Sequence, residues 1–523
     1  MIDSASLIRA WSRVRLSRHD DHANIYELLE AMYERPQTLQ MVTDAVVKLE
    51  QIREGKCFAA YDEHSEPYQE SEQRRSVESA DRLHHALRAL DLINEDDSYR
   101  VPEDSLIKHL TWHDPKVRAN RESLLAKDPE RWHVQPYTSL RDSYFTHYAA
   151  PLLLMHCPNI ENLTYSVCPM VYSPDSSQGY LEGHILERTL LRNNYSKLPD
   201  IHLQRLLRVR LLPEAGVWWD DGRCYSHMDL LGQLRLFHRL PAIESIAVDG
   251  ITIKSGADHI KHFPPHTSNI KSISIGHSML PSSIIAPLIR MAKRLEEFVH
   301  SVGGRDSNRG NRYLIMARTL GKALSDQRKS LRRLDIDVDS MLYDDRIANK
   351  EYQMYVRETA EAYGEPYWHD EWFHLDDTES TGPLHVHELP DTREYNNTIG
   401  SLHDFEALTY LGIGVKLLLG PPESTTPFRL VEALPKSLEY LPIRGYTRGR
   451  VPKYDEAIAG LLAVRTTQLP NLMQIDGVDE CIPGAEVEMT RNRCWLTAQE
   501  TEEEGEGVEY FKLDEGDQGW LEA

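Results

Sequence analysis

The chain has 523 residues, more than one ordinary compact domain holds, and length alone gives a prior of roughly three domains. Hydrophobic residues make up 41% and charged residues 27%, the balance of a folded chain with a core to bury. The formal net charge of −23 argues against general nucleic-acid binding, because a phosphate backbone is held by Lys and Arg and an acidic surface repels it.

Cys57, Cys157, Cys168, Cys224, Cys481 and Cys494 form no C-x-x-C pair and follow no zinc spacing, so they are expected to be scattered reduced core thiols. The first residues, MIDSASLIRAWSRVRLSRHDD, lack the apolar run of about 7–15 residues that marks a secretory signal. No window approaches about 18 apolar residues, so no membrane span is expected. The expectation is a cytoplasmic or nuclear protein, a monomer by itself, with no membrane or nucleic-acid partner.

In chain order, Ile25, Leu28, Leu29 and Met32 fall on one face of a helix over 24–34. Asn24 and Glu27 have capping-box spacing, and Pro36 ends the helix. Leu39, Val42, Val46 and Leu49 begin another apolar pattern. Residues 60–76 are polar and aperiodic and read as a flexible loop. A helix is expected around 78–93, and 114–150 reads as helical or irregular.

From about residue 150 a phrase recurs: Ile160-x-x-Leu163-x-Tyr165, Leu206-x-x-Val209-x-Leu211, Ile243-x-x-Ile246-x-Val248 and Ile270-x-x-Ile273-x-Ile275. It continues as Leu331-x-x-Leu334-x-Ile336, Leu408-x-x-Leu411-x-Ile413 and Leu438-x-x-Leu441-x-Ile443. Leu295-x-x-Phe298-x-His300 and Leu472-x-x-Ile475-x-Gly477 are degenerate copies. Alternate residues of a strand point to one face, so the Leu and Ile positions go inward and those between them face out. Helix-like text precedes several copies, at 228–240, 284–295 and 314–330. One strand and one helix cannot bury their apolar faces alone, whereas a stack of such units can. The predicted fold is therefore α/β: a leucine-rich-repeat solenoid, a right-handed horseshoe with parallel strands on the concave face and helices on the convex face. The competing reading is an ordinary α/β domain with buried parallel strands. No G-x-G-x-x-G or P-loop is present to make it a nucleotide-binding one.

The expected organisation is a mostly helical region with a first degenerate repeat over 1–149, repeats over 150–340, an acidic and aromatic insertion over 341–400, further repeats over 401–485 and an acidic tail over 486–523. From Glu500 onward the chain has ten acidic residues and one lysine, and the tail is expected to be disordered.

Candidate chemistry is sparse. His369, Asp370, Glu371, His374, Asp376, Asp377, His385 and His387 cluster in the insertion, but no H-E-x-x-H occurs and an acidic loop supplies such residues anyway. Residues 301–312 are glycine-rich and basic without the G-K-[ST] of a phosphate loop. Residues 290–333 carry twelve Lys and Arg against four Asp and Glu, a basic stretch suited to an acidic partner or to the acidic tail. No nucleophile elbow follows a strand, Cys157 beside His156 included. No catalytic site, cofactor or metal is expected. The outward strand positions are the better functional candidates: Arg208, Arg210, Arg333, Asp335, Asp337, Tyr410, Tyr440 and Arg444, with Ser245, Asp249, Ser272 and Ser274 beside them. Tyrosine and arginine suit a protein interface, whereas a merely solvated face explains any single residue as well.

The segments LPDTREYNNTIGSLHDFEALTYLGIGVKLLLG, RLVEALPKSLEYLPIRGYTRG and LPNLMQIDGVDE resemble the filamentous-fungal leucine-rich-repeat proteins of the F-box type, as does the opening IYELLEAMYERPQTLQMVTDAVVKLE. The resemblance spans nearly the whole chain. It implies a right-handed solenoid that recognises a protein target, preceded by an F-box that docks an adaptor of a cullin–RING ubiquitin ligase. Nothing before Asn24 provides the F-box opening, so the expectation is a member whose F-box is lost or lies upstream. The leading function is a non-enzymatic protein-interaction scaffold. A ligase substrate receptor and a metal-dependent enzyme using the insertion are the alternatives.

Overall fold

The computed structural model describes residues 12–16, 22–34, 36–48, 135–166, 185–198, 202–212, 225–253, 257–303, 315–342, 398–424 and 428–484, with a few isolated positions. The expected loop at 60–76, all but two residues of the 78–93 helix, nearly all of 341–400, the glycine-rich segment beyond 303 and the tail over 486–523 lie outside them, as do Cys57, Cys168, Cys224 and Cys494. The chain falls into two compact units, Met1–Glu214 with Gly232–Glu244, and Ala215–Leu231 with Ser245–Ala523.

The first unit contains β1 (Arg13–Leu16), α1 (His22–Glu34), a 3-10 turn (Pro36–Met41), β2 (Asp44–Lys48), α2 (Gln135–His156), β3 (Asn162–Ser166), α3 (Ile185–Asn194) and β4 (Arg208–Leu212). Its strands pair in parallel in the order β1–β2–β3–β4. The predicted face of α1 is buried at Ile25, Leu28 and Leu29, and Tyr26 joins it. The helix begins at His22, before the Asn24–Glu27 pair, because the His22 ring is buried edge-on against Phe145 at 5.2 Å.

The apolar pattern from Leu39 resolves into the 3-10 turn and a strand. Val42-x-x-Ala45-x-Val47 is the repeat phrase with alanine in a leucine position, and all three residues are buried. The adjacent β-branched Val46 and Val47 favour the pleated strand over a helix. Residues 12–48 are therefore strand–helix–strand, and two coils precede the first phrase that the sequence shows plainly.

The second unit contains β5 (Ser226–Met228), β6 (Ser245–Asp249), β7 (Ile251–Ile253), a 3-10 turn (Ala257–His262), β8 (Ser272–Gly276), α4 (Ser282–Met291), β9 (Glu297–Ser301), α5 (Ala317–Ser325) and β10 (Arg333–Asp337). It ends with β11 (Tyr410–Gly414), α6 (Val415–Leu419), α7 (Leu430–Ala433), β12 (Tyr440–Arg444), α8 (Pro452–Gln468) and β13 (Gln474–Asp476). Its main strands follow the order β6–β8–β9–β10–β11–β12–β13, all parallel, while β5 pairs with β7. The helix expected over 228–240 shrinks to Leu230–Leu234 followed by turns. The other two helices expected upstream of strands appear as α4 and α5.

Eight of the nine predicted phrases are buried at all three inward positions; only the copy at Leu472 loosens, where Ile475 is half-buried in the terminal strand. Each fully buried Leu or Ile contributes about 1.5–3 kcal/mol, so the phrase is the chief source of stability. A backbone ladder fixes the coils against one another. The carbonyl just before most of the main strands accepts N–H bonds from two consecutive residues of the next coil. Thr43 O takes Glu161 and Asn162, Glu161 O takes Leu207 and Arg208, and in the second unit Glu296 O takes Arg332 and Arg333. Arg332 O, Thr409 O and Glu439 O repeat the arrangement.

Buried amides tie the turns behind the strands. Gln327 donates to Ile289 O at 3.1 Å and Ala292 O at 2.9 Å, and accepts from Leu295 N at 3.0 Å. In the first unit Asn194 donates to Arg235 O and accepts from Arg239 N.

One inward position is an imidazole. His300 is 1% exposed where most other coils carry Leu, Ile or Val. Its Nδ1 faces the Ile275 carbonyl at 3.0 Å, so Nδ1 carries the proton, and Nε2 has no hydrogen-bond partner. Burial pulls its pKa down to about 4, against the opposing bond to Ile275. An unfolded histidine takes up a proton below about 6.5, whereas folded His300 does so only near 4. The unfolded state binds more protons across that window, so this residue removes stability as pH falls, up to about 3 kcal/mol. Comparing His300→Leu with the native chain by urea denaturation should therefore show a stability difference that grows in favour of the variant from pH 6.5 to pH 4. A difference constant with pH would refute the assignment.

Candidate functional site

The parallel register lines up the outward residues in rows that cross the strands. In the second unit the first row is Glu297, Arg333, Tyr410, Tyr440 and Gln474, from β9 to β13. The next holds Val299, Asp335 and Gly412, and a third pairs Gly414 with Arg444. The structure thus brings Arg333, Asp335, Asp337, Tyr410, Tyr440 and Arg444 together on three adjacent strands.

These residues form a charged lattice. The Arg333 guanidinium lies 4.1 Å from the centre of the Tyr410 ring, a cation–π contact. Its Nη2 donates to Asp335 Oδ2 at 3.2 Å, and its Nε sits 3.2 Å from Glu297 Oε1. Arg444 reaches from β12 over β11 to β10, where Nη1 is 2.6 Å from Asp335 Oδ1, a charge contact without an aligned hydrogen bond. Burial works against the Arg444 charge, but Asp335 outweighs it, so the guanidinium is held above its ordinary pKa. Burial and then the Asp335 carboxylate push the Tyr410 phenol up, so Tyr410 stays a neutral ring and donor.

A glycine makes the bridge possible. A Cβ on Gly412 would sit 2.5 Å from Asp335 Oδ1 and 3.1 Å from Arg444 Nη1. The neighbouring Gly414 leaves room for Asp339, which accepts N–H bonds from Lys416 at 2.8 Å and Leu417 at 2.9 Å and caps α6. Burial pushes the Asp339 carboxyl up to about 6 against the pull of those two bonds, and Asp337 adds to the rise.

Exposure separates the candidates. Tyr440 is 39% exposed and Arg333 is half-exposed, so both meet solvent. Asp335 and Asp337 are buried. Asp335 is paired with Arg333 and Arg444, and the Asp337 charge also favours the Arg444 guanidinium. Part of the cover over Asp337 is the chain after β13, which returns so that Gly445 N donates to Ile482 O at 2.9 Å and Gly484 packs on the Asp337 carboxylate. On β6 and β8 the half-buried polar residues are tied locally: Ser272 Oγ donates to Glu297 Oε2 at 3.0 Å, and Asp249 Oδ1 lies 3.0 Å from His277 Nδ1. Ser245 and Ser274 lie on the same rows, also half-buried.

In the first unit Arg208 and Arg210 lie on the outward face of β4. Arg208 closes a row of its own, donating to Asn162 Oδ1 at 3.0 Å, while Asn162 donates to Asp44 Oδ1 at 2.7 Å.

Sequence reading missed Glu297, Gly412 and Asp339. Only glycines at successive outward positions of YLGIG hinted that something crosses β11. The metal-type cluster over 369–387 lies outside the described residues. Burial pushes the Cys157 thiol up to about 12, so it stays protonated as a core thiol. Among the described residues no helix is long and apolar enough to cross a membrane. No protein-family model, curated protein or solved structure matches the chain.

Gly412→Ala should destabilise the protein by about 1–3 kcal/mol through overpacking. Combined with Arg444→Met, which clears the space, it should cost less than the sum of the two changes by at least about 0.5 kcal/mol. Additive effects in a double-mutant cycle of denaturation midpoints would show that the added methyl and Arg444 do not compete.

Proposed function

We propose that this chain is a leucine-rich-repeat interaction protein, non-catalytic, whose working surface is the outward face of β9 to β12. The observation that carries the reading is the Arg333–Tyr410 stack, braced by Glu297 and Asp335 and flanked by exposed Tyr440. Arginine and tyrosine are the residues through which interface centres gain most of their energy. Here their side chains are already ordered, so less conformational entropy is lost when a partner binds. Parallel coils with buried Leu-x-x-Leu-x-Leu/Ile phrases and a regular carbonyl ladder support the repeat class. The resemblance to F-box-type repeat proteins points the same way, toward recognition of a protein target.

The test is quantitative affinity capture with the full chain, comparing native protein with Arg333→Ala/Tyr440→Ala and with the control Glu456→Ala on the exposed side of α8. The double variant should lose its specific partner about tenfold or more, as expected for hot-spot residues, while keeping its circular dichroism and melting temperature. The control should retain the partner. Equal capture by all three proteins would defeat the proposal.

A further inference from the structure

We propose that the turns leading into β8, β9 and β10 form a docking edge for an acidic peptide segment of a partner protein. The ladder stacks these turns directly: Glu296 N and Glu297 N bond Lys271 O, and Arg332 N and Arg333 N bond Glu296 O. Lys293 N bonds Ser268 O, and Gln327 pins the Ala292 and Leu295 backbone. This brings Lys271, Lys293, Arg294, Arg328, Lys329 and Arg332 onto one edge, and all six are exposed. The carboxylates of these turns are already engaged. Glu296 pairs with Arg294 at 3.3 Å, and Asp326 lies 3.2 Å from His266 and 3.5 Å from Arg290.

The edge is therefore strongly cationic in a chain whose net charge is −23. It is also short, because the next turn along the stack carries the exposed Asp404 and Glu406. Three coils at about 4.8 Å spacing suit a few acidic side chains of an extended peptide, not the long charged track of a nucleic acid. The edge is distinct from the Arg–Tyr face, so the two proposals fail separately.

The experiment measures fluorescence anisotropy of a labelled oligo-glutamate peptide with the full chain. Binding should weaken steeply as salt rises from about 0.05 M to about 0.5 M, since exposed charges are screened. It should weaken about tenfold or more in Lys293→Glu/Lys329→Glu/Arg332→Glu, and persist in the control Arg450→Glu, an exposed cation on a different turn. No binding, or binding indifferent to these substitutions, overturns the proposal. Equal or tighter edge-dependent binding of a single-stranded oligonucleotide of matched charge overturns it in favour of nucleic acid. A chain lacking residues 500–523 that binds the peptide about tenfold tighter overturns it in favour of the protein's own acidic segment.

Discussion

The strand face depends on one recurring backbone interaction, the carbonyl that stands just before most of the main strands and accepts two N–H groups from the following coil. A single shared acceptor at each entry point leaves no freedom to slip the strands by a residue. A slip would turn every inward leucine to solvent, which the hydrophobic term forbids. With register fixed, residues at the same step of successive coils become neighbours although tens of residues separate them. Asn162 and Arg208 meet this way in the first unit, and Glu297, Arg333 and Tyr410 in the second. The same ladder gathers the basic turns ahead of β8, β9 and β10.

The charged lattice on β10 to β12 follows from that register and from two glycines. Asp335 is buried, and burying a carboxylate costs several kcal/mol unless cations and hydrogen bonds compensate it. Arg333 and Arg444 do so from opposite sides. Such a cluster adds little net stability over apolar residues of the same volume, but it defines side-chain positions sharply. A side chain at Gly412 would fill the path of Arg444, and one at Gly414 would meet Asp339. The outward face of β11 at Gly412 and Gly414 is thereby covered by side chains from other segments, Asp335, Arg444 and Asp339.

The inward pattern was largely legible because burial demands it. Where the sequence keeps leucine and isoleucine at three fixed steps, strand and core follow directly. Legibility failed where a small or polar residue took an inward place. Ala45 hid the coil at β2, and His300 made the β9 phrase look degenerate although its side chain is as buried as any leucine. The outward candidates Arg333, Tyr410 and Tyr440 were legible as residue types. Glu297 was not, because its partner Arg333 lies on another strand and no local pattern links them.

By itself, then, the sequence determined that this protein buries a repeated strand phrase between helices, since inward and outward positions are a local matter of alternation and hydrophobicity. Only the tertiary structure decided which outward residues stand together, that Asp335 and Asp337 are interior supports while Arg333 and Tyr440 face solvent, and that a glycine opens the path between Asp335 and Arg444. Those outcomes depend on contacts between coils, and the irregular spacing of the coils along the chain carries no local signal of who faces whom.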